Sequence, residues 1–446
     1  MTRGSRSELS LLLELAWPIA VAQFGLMMLG LVDVAFLGRV SVADLGGASI
    51  GRSVSFAASS VGFGIASALE PLASQAVSAR ENGRAWGAML RTLRALAWVW
   101  LPTVLVAVGI TYLLPSLGVA ANLVHPARTY LVAQAPSLFL FPAFLAIKSF
   151  LQAHHETRPA LVAAVVANVV NVAVCAVLVL GDAALVRVGL PAVGLRPLGA
   201  LGAGIANAVA NLVLVVVVAL AAYKRREANV EGAPTLRRIF SLGLPMGLQL
   251  AAEIGVFAAV GVLAGLLGEH AVSAHQIVIG LSSFTFMGAQ GISSATSVRV
   301  GYAVGEGRSA RRPGLLGLAV GAVYMCMTSL VFFLAPGFLV GLFTKDAEVL
   351  AVALGLMKVA MLFQVFDGVQ SVAAGALRGA GDVRFPFWAN VGAHWVVGAP
   401  LALVLCFRFG MGAAGLWWGL FAGLVVISVL LARRFVVVSR GLIARV

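Results

Sequence analysis

Long apolar runs fill this chain, and its polar residues gather in short breaks between them. A run of about 20 mainly apolar residues can cross a bilayer as a helix. The breaks predict twelve such segments: 10–37, 46–70, 93–117, 129–151, 159–180, 198–223, 239–268, 273–297, 314–343, 349–373, 385–408 and 411–432. The second keeps a helical pattern towards residue 78. The predicted fold class is all-α integral membrane.

Composition agrees with the pattern. The chain is 61% hydrophobic and 11% charged, with a mean hydropathy of +1.01, which excludes an ordinary soluble enzyme. Its 50 glycines suit membrane helices, where small residues permit close packing without a hydrophobic driving force. The first run extends through Pro18 to Leu37 behind Arg3 and Arg6, longer than a signal core and with no small-residue cleavage site, so it reads as a span. Cys175, Cys326 and Cys406 fall inside spans and indicate no disulfide framework.

The net charge of +14 is a matter of placement. If both ends are cytoplasmic, the inner side carries Arg3, Arg6, Arg80, Arg84, Arg91, Arg94 and Arg158. It also carries the clusters Lys224–Arg238, Arg299–Arg312, Arg378–Arg384 and Arg433–Arg445. The outer loops hold only Arg39, Arg128, Arg187, Arg196, Lys345 and Arg408, while Arg52, Lys148 and Lys358 lie in spans. This positive-inside asymmetry sets the orientation. Basic loops facing anionic lipid account for the charge with no nucleic-acid partner.

The chain repeats itself around the basic linker 224–238, giving halves 1–223 and 239–446. Pro18 opens the first span and Pro245 the seventh. Arg80-Glu81-Asn82-Gly83-Arg84 parallels Gly305-Glu306-Gly307-Arg308, and His155-Glu156-Thr157-Arg158 parallels Gly381-Asp382-Val383-Arg384. Gly199–Ala203, opening span six, echoes Gly410–Ala414, opening span twelve. Six spans per half is an even number, so both halves insert in one orientation. Two six-helix lobes related by a pseudo-two-fold axis along the membrane normal are expected, with the pathway between them.

Four carboxylates break the apolar pattern: Asp33, Glu70, Glu253 and Asp367 lie within or at the ends of spans. A charge at the bilayer centre costs at least ~2.5–3.5 kcal/mol, so such acids point to a cavity where they bind a cation or carry a proton. Gln249 precedes Glu253 by one turn, and Gln364, Gln370 and Ser371 flank Asp367 at helical spacing, so each acid centres a polar stripe. Asn168 and Asn171 are positioned to hydrogen-bond Asp33. Glu70 sits among serines that recur every seven residues (Ser53, Ser60, Ser67, Ser74) and either lines the vestibule or bonds locally. His275 reads as a hydrogen-bonded core residue, with no second histidine at metal spacing. Met27, Met28, Met287, Met357 and Met361 offer either an adaptable binding surface or gap-filling. Arg378, Asp382 and Arg384 suggest a gate or a helix tether. No phosphate-loop pattern points to ATP.

Over its full length the chain resembles the multidrug and toxic compound extrusion (MATE) transporters, and their NorM-like branch in particular. The stretches that carry the resemblance are Val272–Met287, Gly291–Ala295, Arg299-Val-Gly301, Leu377–Arg384, Leu31–Gly38 and Ala68–Gln75. The resemblance implies export of amphipathic organic cations or drugs by alternating access in exchange for Na+ or H+, with no cofactor and no enzymatic step. It also implies a monomer, in contact with lipid, in a bacterial inner membrane. It assigns Glu253 and Asp367 as the cation pair, with Na+ as a candidate ion, and Asp33 as a coupling acid. Gln249, Gln364, Asn168, Asn171, Glu70, Phe363 and Met287 become the cavity-lining or supporting candidates. Phe363 stands where that branch is expected to carry a tyrosine, and it cannot donate an oxygen ligand. The other branch has an acid on span five; here Asn171 and Val172 occupy the position, which argues against a two-acid proton switch. The competing readings are a lipid-linked glycan flippase of the wider superfamily, which would want a basic cavity, and a membrane enzyme such as a polyprenyl transferase, which would want a clustered acidic metal site.

Overall fold

The structure is a computed structural model that describes residues 7–182, 186, 189, 191–192, 194–227 and 231–446. Arg3, Arg6 and Arg187 therefore lie outside the described residues. The described chain is helical, with no strand. In chain order the helices are α1 (Glu8–Leu37), α2 (Val42–Ala58), α3 (Ser60–Ser78), α4 (Asn82–Leu113), α5 (Ala121–Ala133), α6 (Ser137–Ala153) and α7 (Arg158–Leu180). There follow α8 (Gly199–Tyr223), α9 (Leu236–Leu266), α10 (Glu269–Gly305), α11 (Arg311–Leu334), α12 (Ala347–Gly379), α13 (Arg384–Arg408) and α14 (Gly412–Val438). Among the described residues ten of these are long and apolar enough to cross a membrane alone. The pairs α2–α3 and α5–α6 bring the number to twelve if each is one bent span.

Sequence patterning predicts spans two and four as continuous, but the chain bends by 44° between α2 and α3 and by 47° between α5 and α6. The second break has a local cause in Pro136, because proline disfavours helical geometry in the residue before it. Trp100 Nε1 donates to the Ala135 carbonyl at 3.0 Å, supplying a partner at the break. Periodicity could not reveal these bends because the apolar run continues straight through them.

The chain forms two compact units. The N-terminal unit comprises Phe24–Leu69 and Glu81–Gly247. The C-terminal unit comprises Met1–Gln23, Glu70–Arg80 and Leu248–Val446. Small residues allow close helix packing in each. A Cβ on Gly202 of α8 would lie 2.7 Å from the Leu178 carbonyl of α7, and one on Gly375 of α12 would lie 2.5 Å from the Ser293 carbonyl of α10. The C-terminal core is built on Leu356, Phe363, Trp417, Leu420 and Phe435. The N-terminal core includes Leu37, Tyr130, Cys175 and Val179. Large apolar side chains such as Trp98, Leu105, Val262 and Phe333 are exposed, as a lipid-facing surface requires. Of the linker, Ala233 and Pro234 accept bonds from Arg91 Nη1 at 2.6 and 3.0 Å, which ties it to α4.

Candidate functional site

The face of α12 that carries Asp367 turns towards α10 and α11. Asp367, Gln364, Gln370 and Ser371 are all buried. Gln364 Oε1 accepts from Thr285 and, at 3.3 Å, from Thr328, and the Ser371 carbonyl accepts from Ser293 at 2.7 Å. The stripe predicted around Asp367 is thus one interhelical polar face. Glu253 is half-buried on α9, and Asp367 lies within its electrostatic reach. Neither acid forms an ion pair among the described residues. Gln249 is half-buried one turn before Glu253.

Sequence reasoning missed the contribution of α13. Asn390 Nδ2 donates to Glu253 Oε2 at 3.3 Å, and Asn390 is fully buried. The docking of α13 on α9 explains the placement. Trp395 Nε1 donates to the Ala252 carbonyl at 3.0 Å, and Gly255 leaves room for the indole, since a Cβ there would sit 3.1 Å from Trp395 Cζ2. Gly392–Gly398 has π-helical hydrogen bonding, a feature that recurs at functional sites. His394 on this stretch shares Nδ1 with the Asn390 carbonyl at 3.2 Å. Gln364 Nε2, Asn390 Oδ1 and His394 Nε2 are buried with no hydrogen-bond partner among the described residues. Such atoms carry a desolvation penalty that a ligand can relieve. The available signal was the polar pair Asn390 and His394 at i,i+4 inside an apolar span.

Asp33 is buried in the N-terminal unit, but its partners differ from those expected. Tyr130 Oη donates to Asp33 Oδ2 at 3.1 Å, Asn207 Nδ2 lies 3.4 Å from the same oxygen, and Cys175 Sγ is 3.6 Å from Oδ1. Asn168 and Asn171 do not fill this role. Asn168 Nδ2 donates to the Gly25 and Ala164 carbonyls at 2.7 and 2.8 Å, while Asn171 is buried with neither side-chain polar atom partnered among the described residues. Helical spacing put both asparagines on α7, but Cys175, one turn beyond Asn171, is the α7 residue that reaches the acid.

A cavity of about 410 Å³ opens in the same unit, and both helix breaks contribute to its wall. Ser55, Phe56, Ser59 and Phe63 come from the α2–α3 bend; Gln134, Ser137 and Phe141 come from the α5–α6 bend; Met27, Asn207 and Asn211 add to them. Non-helical backbone at membrane depth is tolerated where it lines a cavity or is covered by protein. Arg52 also faces this cavity, and its Nη1 donates to the Gly30 carbonyl at 2.8 Å.

The remaining candidates fall elsewhere. Glu70 is buried, and its Oε2 lies 3.0 Å from Arg378 Nη1, which satisfies it with an ion pair inside the C-terminal unit. Phe363 is packed in the core, with ring centroids 5.4 Å from Trp417 and 6.2 Å from Phe257, so it supports the core and lines no cavity among those described. His275 accepts from Trp417 Nε1 at 3.2 Å, the core role read from sequence. Met287 is half-buried on α10, and Lys358 is exposed. No group of three or more His, Cys, Asp or Glu residues that could hold a metal ion occurs among the described residues.

A family model described as MatE matches residues 18–177 and again 245–404, so the two matches open at Pro18 and Pro245. The chain is 32% identical to a probable multidrug resistance protein NorM of Pseudomonas aeruginosa, over 98% of this chain and 90% of that protein. It is also 32% identical to one of Deinococcus radiodurans, over 99% and 98% respectively. Among solved structures its fold is similar to the eukaryotic MATE transporter AtDTX14, with a TM-score of 0.84 and 24% identity over 97% of each chain. A MATE family transporter in an outward-facing conformation matches with a TM-score of 0.83 and 16% identity over 98% of each chain. The doubled match across both halves, together with these near-full-length relatives, makes this multi-pass membrane protein a member of the MatE family of multidrug and toxic compound extrusion transporters.

Proposed function

We propose that this chain is a secondary active multidrug exporter, in which cation binding at Glu253 and Asp367 drives expulsion of amphipathic organic cations. The observation that carries the reading is the contrast among the acids of its helices. Glu70 is neutralised by Arg378, whereas Glu253 and Asp367 lie within electrostatic reach of one another and form no ion pair among the described residues. Two carboxylates in such a place repel one another, and a cation or proton relieves that repulsion. Glu253, Asp367 and Asn390 Oδ1, which has no partner among the described residues, are hard oxygen donors that suit Na+. Asp33 serves as a second titratable group, held by Tyr130 and Asn207.

Coupling requires the ion and the drug to favour different conformations, because a ligand of equal affinity for both shifts nothing. Neutralising the Glu253–Asp367 pair in one conformation supplies that bias. The names of the NorM relatives support drug export. A glycan flippase is not favoured, since the relatives are named as multidrug resistance proteins and the cation pair Glu253–Asp367 is acidic. The protein is read as a monomer in a bacterial inner membrane, with both termini cytoplasmic, lipid as its solvent and no nucleic-acid partner.

The test is efflux of a fluorescent organic cation from proteoliposomes under an imposed Na+ gradient and, separately, an H+ gradient. Wild type is expected to respond to one of them, and Glu253→Gln to neither. Equal efflux by wild type and Glu253→Gln would overturn the assignment.

A further inference from the structure

We infer that the segment Arg440–Val446 is a contact for anionic lipid at the inner membrane surface, seated on the C-terminal unit by one face and open to lipid headgroups on the other. The inference rests on the cytoplasmic placement proposed above for this end of the chain, and adds to it a binding surface and the class of its ligand.

The seat is built from elements that all belong to the C-terminal unit. Gln75 of α3 is buried, and its amide is used at both ends. Nε2 donates to the Gly379 carbonyl at the end of α12 at 3.0 Å, and Oε1 accepts the Val446 N–H at 2.8 Å. The Val446 side chain takes the space over Gly381, where a Cβ would overlap Val446 Cγ1. Ile443 packs against the C-terminal core.

The same contacts set the depth of the segment. Gly381 adjoins Asp382, which pairs with Arg434 at 2.7 Å. The chain therefore leaves α14 after Val438 and comes back to the level of Arg434. The apolar run of α14 meets its first charges at Arg433 and Arg434. Basic residues that close an apolar span mark its passage into the headgroup layer.

The outward face at that level is both basic and apolar. Arg433, Arg440 and Arg445 are exposed, and Leu442, between the last two, is 75% exposed. A lone exposed leucine in water is ordinary. Set among arginines at the headgroup layer, it has the chemistry of an interfacial anchor: the apolar side chain enters the acyl boundary while the cations meet lipid phosphate. Arg434 shows the contrast, since Asp382 already neutralises it, whereas Arg433 and Arg440 form no ion pair among the described residues.

The test places an environment-sensitive nitrobenzoxadiazole label on Gly441→Cys, a position with open space for a side chain. Cys326→Ala removes the exposed native cysteine. In nanodiscs containing phosphatidylglycerol the emission should lie to the blue of that in phosphatidylcholine alone, and added salt should reverse the shift. Arg433→Gln and Arg440→Gln should each lower the ratio of inserted to withdrawn label about fivefold in the anionic discs, with no effect in phosphatidylcholine. Leu442→Asn should reduce insertion in both lipids, and it carries the test if the arginine variants do not fold. Emission that ignores lipid charge, or a lipid dependence that survives loss of both arginines, would overturn the inference. So would unchanged insertion in Leu442→Asn, or an equal shift produced by soluble glycerol phosphate in phosphatidylcholine discs. Reaction of Gly441→Cys with an impermeant maleimide added outside spheroplasts would overturn the orientation and the inference together. A site protected from that reagent, with a label blind to lipid charge, overturns the inference alone.

Discussion

Asp382 and Arg434 form an ion pair of 2.7 Å that ties the turn after α12 to the end of α14. The other unit repeats the device: Glu156, in the turn after α6, accepts Arg225 Nε at 2.8 Å from just past the end of α8. The preceding residues, Gly381 and His155, both adopt left-handed backbone, with φ of 82° and 59°. Asp382 N–H then returns to the Leu377 carbonyl and Glu156 N–H to the Leu151 carbonyl, each at 2.9 Å, which closes both helix ends in the same way. Of the residues read from sequence as a gate or helix tether, Asp382 is a tether, and Glu156 plays the same part in the other unit. These pairs are partly exposed, so each should be weak. Double-mutant cycles on Asp382→Asn with Arg434→Gln should give a coupling of about 0.2–1 kcal/mol, shrinking at high salt. Thermal unfolding in detergent reads it, and a salt-independent coupling above that range would refute the tether as described.

Burial reverses the outcome for Arg299. Its Nε and Nη2 lie 2.7 and 2.9 Å from the two Glu8 oxygens, a bidentate pair with side chains only 7% and 14% exposed. Removing one partner strands a desolvated charge, which costs about 3–5 kcal/mol. Glu8→Gln should lower stability by roughly that amount, while adding Arg299→Gln should recover part of the loss. Additive losses would mean that the charges are solvated in the folded protein.

His154 lies just beyond α6 and gives a pH signature. Burial holds its imidazole below the usual histidine range, and Nδ1 lies 3.0 Å from the Phe150 carbonyl, a bond that opposes the shift. The unfolded chain titrates at about 6.5. Above that value both states are neutral and the folded state keeps its full stability. As pH falls below it, the unfolded state gains protons first, so stability declines until the folded state also titrates. A fall in melting temperature from pH 7.5 towards pH 5, reduced in His154→Gln, is the expected result. An identical pH slope in the variant would remove His154 as the cause.

Much of this architecture was legible because spans, charge asymmetry and repeat are one-dimensional patterns. Pro18 and Pro245 marked the repeat that the family match later opened on. The stripe around Asp367 was readable because i±3 and i±4 neighbours must share a face. What failed was naming which group on another helix would meet Asp33 or Glu70. Asn168 and Asn171 have the right chemistry for Asp33, but the rotation of α7 and the insertion of Tyr130 from α5 decided which groups touch it. Glu70 looked ambiguous until α12 brought Arg378 to it, from a position 308 residues away in sequence. The bends at Ser59 and Pro136 were hidden because the apolar run crosses them unbroken. Asn390 was passed over because it and His394, one turn on, carry no fixed charge to draw notice in an apolar span.

That amide gives the sharpest test of the coupling site. Asn390 Nδ2 holds Glu253, and its Oδ1 has no partner among the described residues, so the side chain can orient a carboxylate and present a further oxygen to an ion. Losing a group that orients a ligand typically costs 10–100-fold in ion affinity. Asn390→Ala should therefore raise the ion concentration needed for half-maximal efflux by about 10–100-fold, while binding of drug in the absence of ion stays close to wild type. A purely structural asparagine would lower protein yield and drug binding together and leave the ion dependence of the surviving activity unchanged. Titrating the coupling ion at fixed dye concentration separates the two cases, because only a role at the site moves the midpoint without moving the dye affinity.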